Sequence, residues 1–218
     1  MSKYYPIMVN LEYRNVLIVG GGEIAYKKLL ELLEYKAVIT LVSLSINEGI
    51  KEIVEKNYIK FIEGAYDKTY LEGAFIVIAS TNDREVNNEI YKDCIQKSIL
   101  VNIVDDPENC SFITPSKLRR GDLTISISTN GKSPTLSKEI RKELEISFDE
   151  SYEAYVNILG DLRKDVIANV EIPHKRKEVL HTIVSGGYLG KLRILGEEAV
   201  RSEIKEYLQA TITSFKYL

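Results

Sequence analysis

The segment from Val16 to Ala25 reads VLIVGGGEIA, and it constrains the fold more than any other part of the chain. An apolar, strand-like run leads directly into three glycines, and a helical pattern follows. The order Gly20-x-Gly22-x-x-Ala25 matches the dinucleotide-binding fingerprint, in which alanine is an accepted third residue. Gly20 permits a tight turn, Gly22 leaves space for a pyrophosphate, and Ala25 allows close packing of helix on strand. The other interpretation is a glycine turn without a ligand.

Short apolar runs alternate with helical patterns through the first half of the chain. The strand-like runs lie at residues 16–19, 38–42, 59–64, 74–79 and 99–104. An amphipathic helical pattern follows the first run, and another separates the last two. Such alternation is typical of a parallel sheet covered by helices on both faces. We therefore predict an α/β protein with an N-terminal Rossmann domain over residues 1–113.

The pattern changes in the second half. Residues 122–128, DLTISIS, alternate apolar and polar side chains with a period of two, which indicates a strand with one wetter face. A turn, TNGKSP, and a helical pattern follow, and from about residue 150 all patterns are helical. We predict a central α+β segment at 114–150 and a helical C-terminal domain at 151–218.

Composition narrows the class of protein. A net charge of -3 argues against a general nucleic-acid-binding surface, and 44% hydrophobic residues suffice for a real core. Cys94 and Cys110 form no metal-binding pattern, so we predict no metal site. No apolar run approaches the roughly 20 residues of a membrane span, and the start does not resemble a signal peptide. We expect a cytoplasmic protein that binds no membrane.

The ends of the second and fourth strands supply further candidate cofactor contacts. Dinucleotide-binding domains usually carry an acid at the end of the second strand, where this chain has Ser43 and Ser45. The motif therefore favours NAD over NADP less strongly than an acid would. After the fourth strand, Thr81 and Asn82 can contact the nicotinamide ribose. The other interpretation, compatible with this, is a helix cap at Asn82 or Asp83.

Four segments together resemble the siroheme synthase family. They are LEYRNVLIVGGGEIAYKK, IASTNDREVN, VNIVDDPENCSFITPS and ISISTNGKSPTLSKEIRKEL, in the family's order. The chain looks like the NAD-dependent precorrin-2 dehydrogenase part of those enzymes, without their methyltransferase module. The resemblance implies a Rossmann domain, a dimerisation segment and a helical part, with a homodimer completing each active site. It also implies the oxidation of precorrin-2 to sirohydrochlorin with NAD as hydride acceptor.

The resemblance also implies roles for individual residues. The family's catalytic aspartate falls on Asp105, which we expect to act as general base, and Asp106 is then a turn residue before Pro107. A serine that is phosphorylated in some members falls on Thr129, so this chain has threonine in its place. The family's cofactor contacts fall on Glu23, Ile24, Leu44 and Ser45.

The substrate is a polycarboxylate, and basic residues of the central segment are candidates to bind it. Arg119 and Arg120 can bind carboxylates through two parallel hydrogen bonds. Lys132 precedes a helix start that Ser133 is expected to cap, and a helix start attracts anions. The other interpretation is a solvated basic surface with an ordinary cap.

Three functional hypotheses remain open at this stage. The first is a precorrin-2 dehydrogenase, and the second is a dehydrogenase that also inserts iron as a ferrochelatase. The third is a dinucleotide-sensing regulator without chemistry, against which the acidic DDPENC segment argues. His174 and His181 share a region, but two histidines do not make a metal site.

Overall fold

A computed structural model describes residues 4–215. The chain divides into two compact units, Met1–Thr114 and Pro115–Leu218. The three-part division expected from the sequence, with boundaries near 113 and 150, stays a prediction.

The first unit contains a parallel sheet of five strands in the order β3-β2-β1-β4-β5. Its strands are β1 (Asn15–Val19), β2 (Val38–Ser43), β3 (Lys60–Glu63), β4 (Ile76–Ala79) and β5 (Leu100–Ile103). Its α-helices are α1 (Glu23–Leu33), α2 (Glu48–Asn57) and α3 (Arg84–Gln96). All five strands lie within or next to the apolar runs of the sequence, whereas α2 was not predicted.

Side chains of the sheet alternate between two separate cores. Val16 and Ile18 of β1 pack with buried residues of α1 and α2 on one face. Leu17 and Val19 pack with buried residues of α3 on the other face. Strands that are buried on both faces read as continuous apolar runs, which is why the sequence predicts them well.

The strand order reverses between β1 and β4, and this places the ligand crevice. Chain connections lead from β1 towards β2 on one side of the sheet and from β4 towards β5 on the other. In open parallel sheets the ligand binds beyond the carboxyl ends of the strands at this switch point. Residues that follow Val19, Ala79 and Ile103 therefore border the crevice, because the register aligns these three strand ends.

The second unit begins with a two-stranded antiparallel hairpin of β6 (Ser116–Arg120) and β7 (Leu123–Ile127). The sequence analysis missed β6, because its basic residues hide the strand pattern. Strand β6 pairs with β7 along its whole length, so β7 has a partner within its own unit. Helix α4 (Pro134–Ser147) follows and packs on the hairpin.

Four helices complete the second unit and enclose a core of their own. They are α5 (Ser151–Asn169), α6 (Pro173–Ser185), α7 (Tyr188–Leu195) and α8 (Glu197–Phe215). Ile158, Val166 and Ile183 are almost fully buried among them. The helices are interrupted before Pro173, after Ser185 and at Gly196. Within the described residues, no helix combines the length and apolar character that a membrane crossing requires.

Candidate functional site

Gly20 ends β1 in a conformation that only glycine adopts readily. Its φ is +128°, a region where L side chains are strained. A Cβ atom there would lie 2.8 Å from the carbonyl oxygen of Ser80, which is too close for any side chain. The Gly20 amide donates to the Val42 carbonyl oxygen at 2.9 Å. The tight turn expected at this position is therefore fixed by both neighbouring strands.

Gly21, which the fingerprint leaves unspecified, is required by a close backbone crossing. A Cβ atom at Gly21 would lie 1.9 Å from the carbonyl oxygen of Ser45 and 2.7 Å from Ser43 Oγ. The Gly21 carbonyl accepts a hydrogen bond from the Asn47 amide at 3.2 Å. The segment after β2 thus rests directly on the glycine loop. Sequence reasoning missed this role, although a glycine between Gly20 and Gly22, at a position that the fingerprint leaves open, was a signal for it.

Gly22 differs from the other two glycines because it faces open space. A Cβ atom there would meet nothing within 4 Å, and Gly22 is exposed. It is the N-cap of α1, and no side chain of the described residues caps the first amides of this helix. Uncapped amides and the positive end of the helix dipole form an anion site. The space and the donors that a pyrophosphate needs therefore occur together here.

The first turn of α1 continues this site. Ala25 is fully buried against the sheet, as its place in the fingerprint requires. Glu23 and Ile24 are exposed, and the Glu23 carboxylate pairs with Lys27 at 3.4 Å on the helix surface. Any contact of Glu23 with a phosphate would therefore use its backbone amide rather than its carboxylate.

The loop after β2 carries the predicted contacts Ser43, Leu44 and Ser45. The Ser43 hydroxyl donates to the Ser45 carbonyl oxygen at 2.7 Å, so towards a ligand it can only accept. Leu44 is 72% exposed and provides an apolar surface at the sheet edge. Asn47 then caps α2 by accepting from the Ile50 amide at 2.9 Å. This loop can contact an adenosine moiety without supplying a carboxylate from β2.

In the loop after β4, some polar side chains make hydrogen bonds within the protein and another is exposed to a ligand. Asp83 caps α3 by accepting from the Glu85 and Val86 amides at 2.8 and 3.2 Å, so the cap is Asp83 rather than Asn82. The Thr81 hydroxyl is 2.8 Å from Oδ1 of Asn87, a buried polar residue that the sequence analysis missed. Asn82 remains exposed. Of the two predicted residues, Asn82 has the side chain free of these internal bonds.

Asp105 follows β5 in a strained backbone conformation. Its φ is +61°, in the left-handed region that glycine and asparagine favour. The Asp106 amide donates to the Ile103 carbonyl oxygen at 3.3 Å, which closes a tight turn with Asp105 at its third position. The Asp105 side chain is exposed. Strained residues that keep a charged side chain are concentrated at functional sites.

Asp106 has a structural role, unlike its neighbour. Its Oδ2 atom accepts a hydrogen bond from Asn109 Nδ2 at 2.7 Å. Its carbonyl oxygen accepts a hydrogen bond from the Cys110 thiol at 3.1 Å. The same sulfur accepts a hydrogen bond from the Ile103 amide at 3.2 Å. Burial raises the pKa of the Cys110 thiol, which keeps the sulfur neutral in this network. The network, missed in the sequence, fastens the loop that presents Asp105.

The predicted substrate residues lie in the second unit and differ in availability. Arg120 Nε donates to the Phe148 carbonyl oxygen at 2.9 Å and pairs with Glu150 at 3.3 Å, so part of its fork is used internally. Arg119 is exposed, although its Nε donates to the Gly121 carbonyl oxygen at 3.1 Å. Their assignment to the substrate stays a prediction.

The start of α4 is built as the sequence predicts. Ser133 is its N-cap and accepts from the Leu136 amide at 3.2 Å, with Pro134 in the first turn. Lys132 is exposed directly before it. Thr129 Oγ1 accepts from the Ser133 amide at 3.0 Å, so Thr129 orders this turn.

The two histidines do not form a recognisable site. His174 and His181 are both exposed on α6. Among residues 4–215, no group of three or more His, Cys, Asp and Glu side chains could hold a metal ion.

Comparisons with known proteins identify the family. The family model described as NAD(P)-binding matches residues 7–116. The model described as sirohaem biosynthesis protein central matches residues 120–146. The chain belongs to the siroheme synthase family. The predicted family is thus confirmed, and the first unit is its NAD(P)-binding domain.

Relatives within the siroheme synthase family cover nearly all of this chain. Siroheme synthase 1 of Aeromonas salmonicida (strain A449) is 32% identical over 98% of this chain and 46% of its own length. The siroheme synthase of Psychrobacter arcticus (strain DSM 17307 / VKM B-2377 / 273-4) is 34% identical over 95% of this chain and 37% of its own length. The chain thus spans less than half the length of these relatives.

A solved structure, "SirC, precorrin-2 dehydrogenase", has a similar fold and a similar length. It is 29% identical with a TM-score of 0.77, and the match covers 94% of this chain and all of SirC. The predicted fold class, an α/β protein with an N-terminal parallel sheet, a central α+β segment and C-terminal helices, is confirmed.

Proposed function

We propose that this chain is an NAD-dependent dehydrogenase that oxidises precorrin-2 to sirohydrochlorin. The observation that carries the proposal is the match to SirC, a precorrin-2 dehydrogenase, over the whole SirC chain. The open phosphate cradle at Gly22 and the strained Asp105 support it, because they border the same crevice of the sheet.

The proposed reaction divides between two ends of this crevice. The glycine loop after β1 holds the pyrophosphate, and the nicotinamide then extends towards β4 and β5. Asp105 leaves β5 next to the end of β4, since the Val104 amide donates to the Ala79 carbonyl oxygen at 2.9 Å. Exposed Asn82, which follows β4, is available for the nicotinamide ribose. The proposal thus brings a hydride acceptor and a carboxylate to the same edge of the parallel sheet.

The chemistry requires a hydride acceptor and a proton acceptor. Precorrin-2 loses a hydride to NAD and a proton to a base, which gives sirohydrochlorin, NADH and a proton. Asp105 is the proposed base, and a positioned base typically accelerates such a step about 10²–10⁴-fold. The dehydrogenation as written involves no metal ion. Should a metal enter the product later, the macrocycle supplies the nitrogen ligands.

Carboxylates of the substrate require cationic partners, which the second unit offers. Arg119 and Lys132 are exposed, and the start of α4 at Ser133 presents a positive dipole end. Arg120 is the least available of the four predicted residues, because Phe148 and Glu150 engage it. We include all four residues, Arg119, Arg120, Lys132 and Ser133, in the proposed substrate region.

We further propose that the protein is a homodimer and acts in the cytoplasm. Leu136 and Ile146 of α4 are 51% and 84% exposed, and the β6–β7 hairpin has outer edges that a partner can cover. Both cysteines are free, which fits a reducing compartment. Sedimentation equilibrium at micromolar concentration should give a dimer mass, and a monomer mass would overturn this part of the proposal.

The test of the activity is a spectroscopic assay with the complete chain. Protein, NAD and precorrin-2 are mixed without oxygen, and the spectra of sirohydrochlorin and NADH are followed together. The proposal expects equal amounts of both products, formed only when NAD is present. A protein that binds NAD in calorimetry but forms neither product would instead be a dinucleotide-sensing regulator.

A further inference from the structure

The carboxyl end of β2 lacks the acid that dinucleotide-binding domains usually place there, but the neighbouring strand supplies one. Ser43 is the last residue of β2, and Glu63 is the last residue of β3. The register pairs Ser43 with Glu63 directly. Glu63 is twenty positions after Ser43 in the sequence, so the fingerprint does not include it. Only the pairing of the two strands shows that the two residues are neighbours.

Glu63 lies on the same face of the sheet as Ser43. Leu41 and Phe61, two residues before them, both belong to the core that packs against α1 and α2. Since side chains alternate along a strand, Ser43 and Glu63 continue that face beyond the core. Adjacent strands are about 4.8 Å apart, so the Glu63 carboxylate is within reach of a group bound at Ser43. Its side chain is exposed at the crevice edge.

The chain segments that contain Ser43 and Glu63 carry further acids, and the next cation along the chain after Glu63 is Lys68. The segment 43–49 reads SLSINEG and the segment 61–67 reads FIEGAYD, and neither contains lysine or arginine. Each has a further exposed acid, Glu48 and Asp67. The sites that accept the 2′-phosphate of NADP typically offer an arginine here. The position therefore repels a 2′-phosphate and can accept hydrogen bonds from ribose hydroxyls.

We propose that Glu63 of β3 is the residue that selects NAD over NADP in this chain. It takes the part that an acid at the end of β2 plays elsewhere, accepting from the ribose hydroxyls of NAD and repelling the 2′-phosphate of NADP. The proposal rests on the cofactor site of the proposed function and does not depend on the substrate.

The experiment compares NAD and NADP binding by calorimetry in the complete chain, its Glu63→Gln variant and a Glu55→Gln control. Glu55 is exposed near the end of α2, which leads to the amino end of β3, so the control removes an equal charge at the opposite edge of the sheet. In Glu63→Gln, NADP affinity should rise about 10-fold, since one carboxylate near a dianionic phosphate has an effect of this order at close range.

The dependence of NADP affinity on salt concentration distinguishes an electrostatic role of Glu63 from a structural one. The NADP difference between the wild type and Glu63→Gln should shrink at high salt, because exposed charges are screened. Glu63→Asp should keep the preference for NAD. A wild type that binds both nucleotides equally, or a Glu63→Gln variant whose NAD-to-NADP ratio equals that of Glu55→Gln, would overturn the inference. Normal discrimination without turnover of precorrin-2 would instead overturn only the proposed activity.

Discussion

Two loops at the same edge of the sheet are built in opposite ways. The glycine loop after β1 works by the absence of side chains, since Gly20 and Gly21 could not carry a Cβ atom and Gly22 leaves an open space. The loop after β5 works through side chains, since Asp106 and Cys110 fasten it and Asp105 projects from it. One loop offers backbone donors, and the other offers a carboxylate.

Because the two loops are built differently, we expect them to respond differently to substitutions. On the proposed function, cofactor binding to the glycine loop depends on shape, so any added atom at Gly22 should lower cofactor affinity while the fold remains intact. On the proposed mechanism, chemistry at the β5 loop depends on one functional group, so an isosteric change at Asp105 should remove the reaction while the cofactor still binds. Variants of the two loops can show whether cofactor binding and chemistry separate in this way.

The largest effect is expected for Asp105→Asn. Asparagine has the same size and is well tolerated at a positive φ, so the turn should persist while the proton acceptor is lost. Turnover should fall about 10²–10⁴-fold in steady-state assays. Asp106→Asn is the matched control, and its turnover should stay near normal with stability changed by about 1 kcal/mol or less. If the two variants exchanged their effects, the catalytic aspartate would be Asp106.

The next largest effect is expected for Gly22→Val. Valine should fill the open space before α1 and keep a pyrophosphate from the helix amides, which lowers NAD affinity by about 100-fold or more. Thermal unfolding should change little, since a Cβ atom at Gly22 meets nothing within 4 Å. Unaltered NAD affinity in calorimetry would remove the glycine loop from the cofactor site.

Gly21→Ala should act on the fold rather than on the ligand alone. Its Cβ atom would collide with the Ser45 carbonyl at 1.9 Å, so the loop after β2 must move. We expect a loss of about 1–3 kcal/mol in the free energy of unfolding, as for other overpacked sites. Denaturant unfolding measures this, with Gly22→Ala as the control for which the loss should be smaller. Equal losses would mean that the two glycines do not differ as the structure has them.

The smallest change in stability, and the only stabilising one, is expected for Asp105→Gly. Glycine has no penalty at a φ of +61°, so relief of strain should raise the stability by up to about 1 kcal/mol. The same variant should lose activity, because the carboxylate is gone. A destabilised Asp105→Gly variant would show that the turn is not strained.

The sequence predicted those parts of the site that depend on local order. Gly20, Gly22 and Ala25 could be read from their spacing, because a strand, a tight turn and a helix start are adjacent in the chain. The assignment of the catalytic role to Asp105 rather than Asp106 came from the family resemblance and stays a prediction.

The sequence could not predict the parts that depend on distant contacts. Gly21 is required because Ser45 crosses it, and Glu63 matters because β3 pairs with β2 in one particular register. Strand β6 was missed because Lys117, Arg119 and Arg120 give it a basic pattern, and only its pairing with β7 reveals a strand. These features are set by tertiary structure, which a single sequence does not display.

The most direct test of the division between the two loops is turnover as a function of NAD concentration, measured for Gly22→Ala and Asp105→Asn side by side. Gly22→Ala should need more NAD for half-saturation but reach a turnover within about 3-fold of the wild type at saturation. Asp105→Asn should keep its half-saturation within about 3-fold while its turnover stays about 10²–10⁴-fold lower at every NAD concentration. Recovery of Asp105→Asn by excess NAD, or a low turnover of saturated Gly22→Ala, would contradict this division.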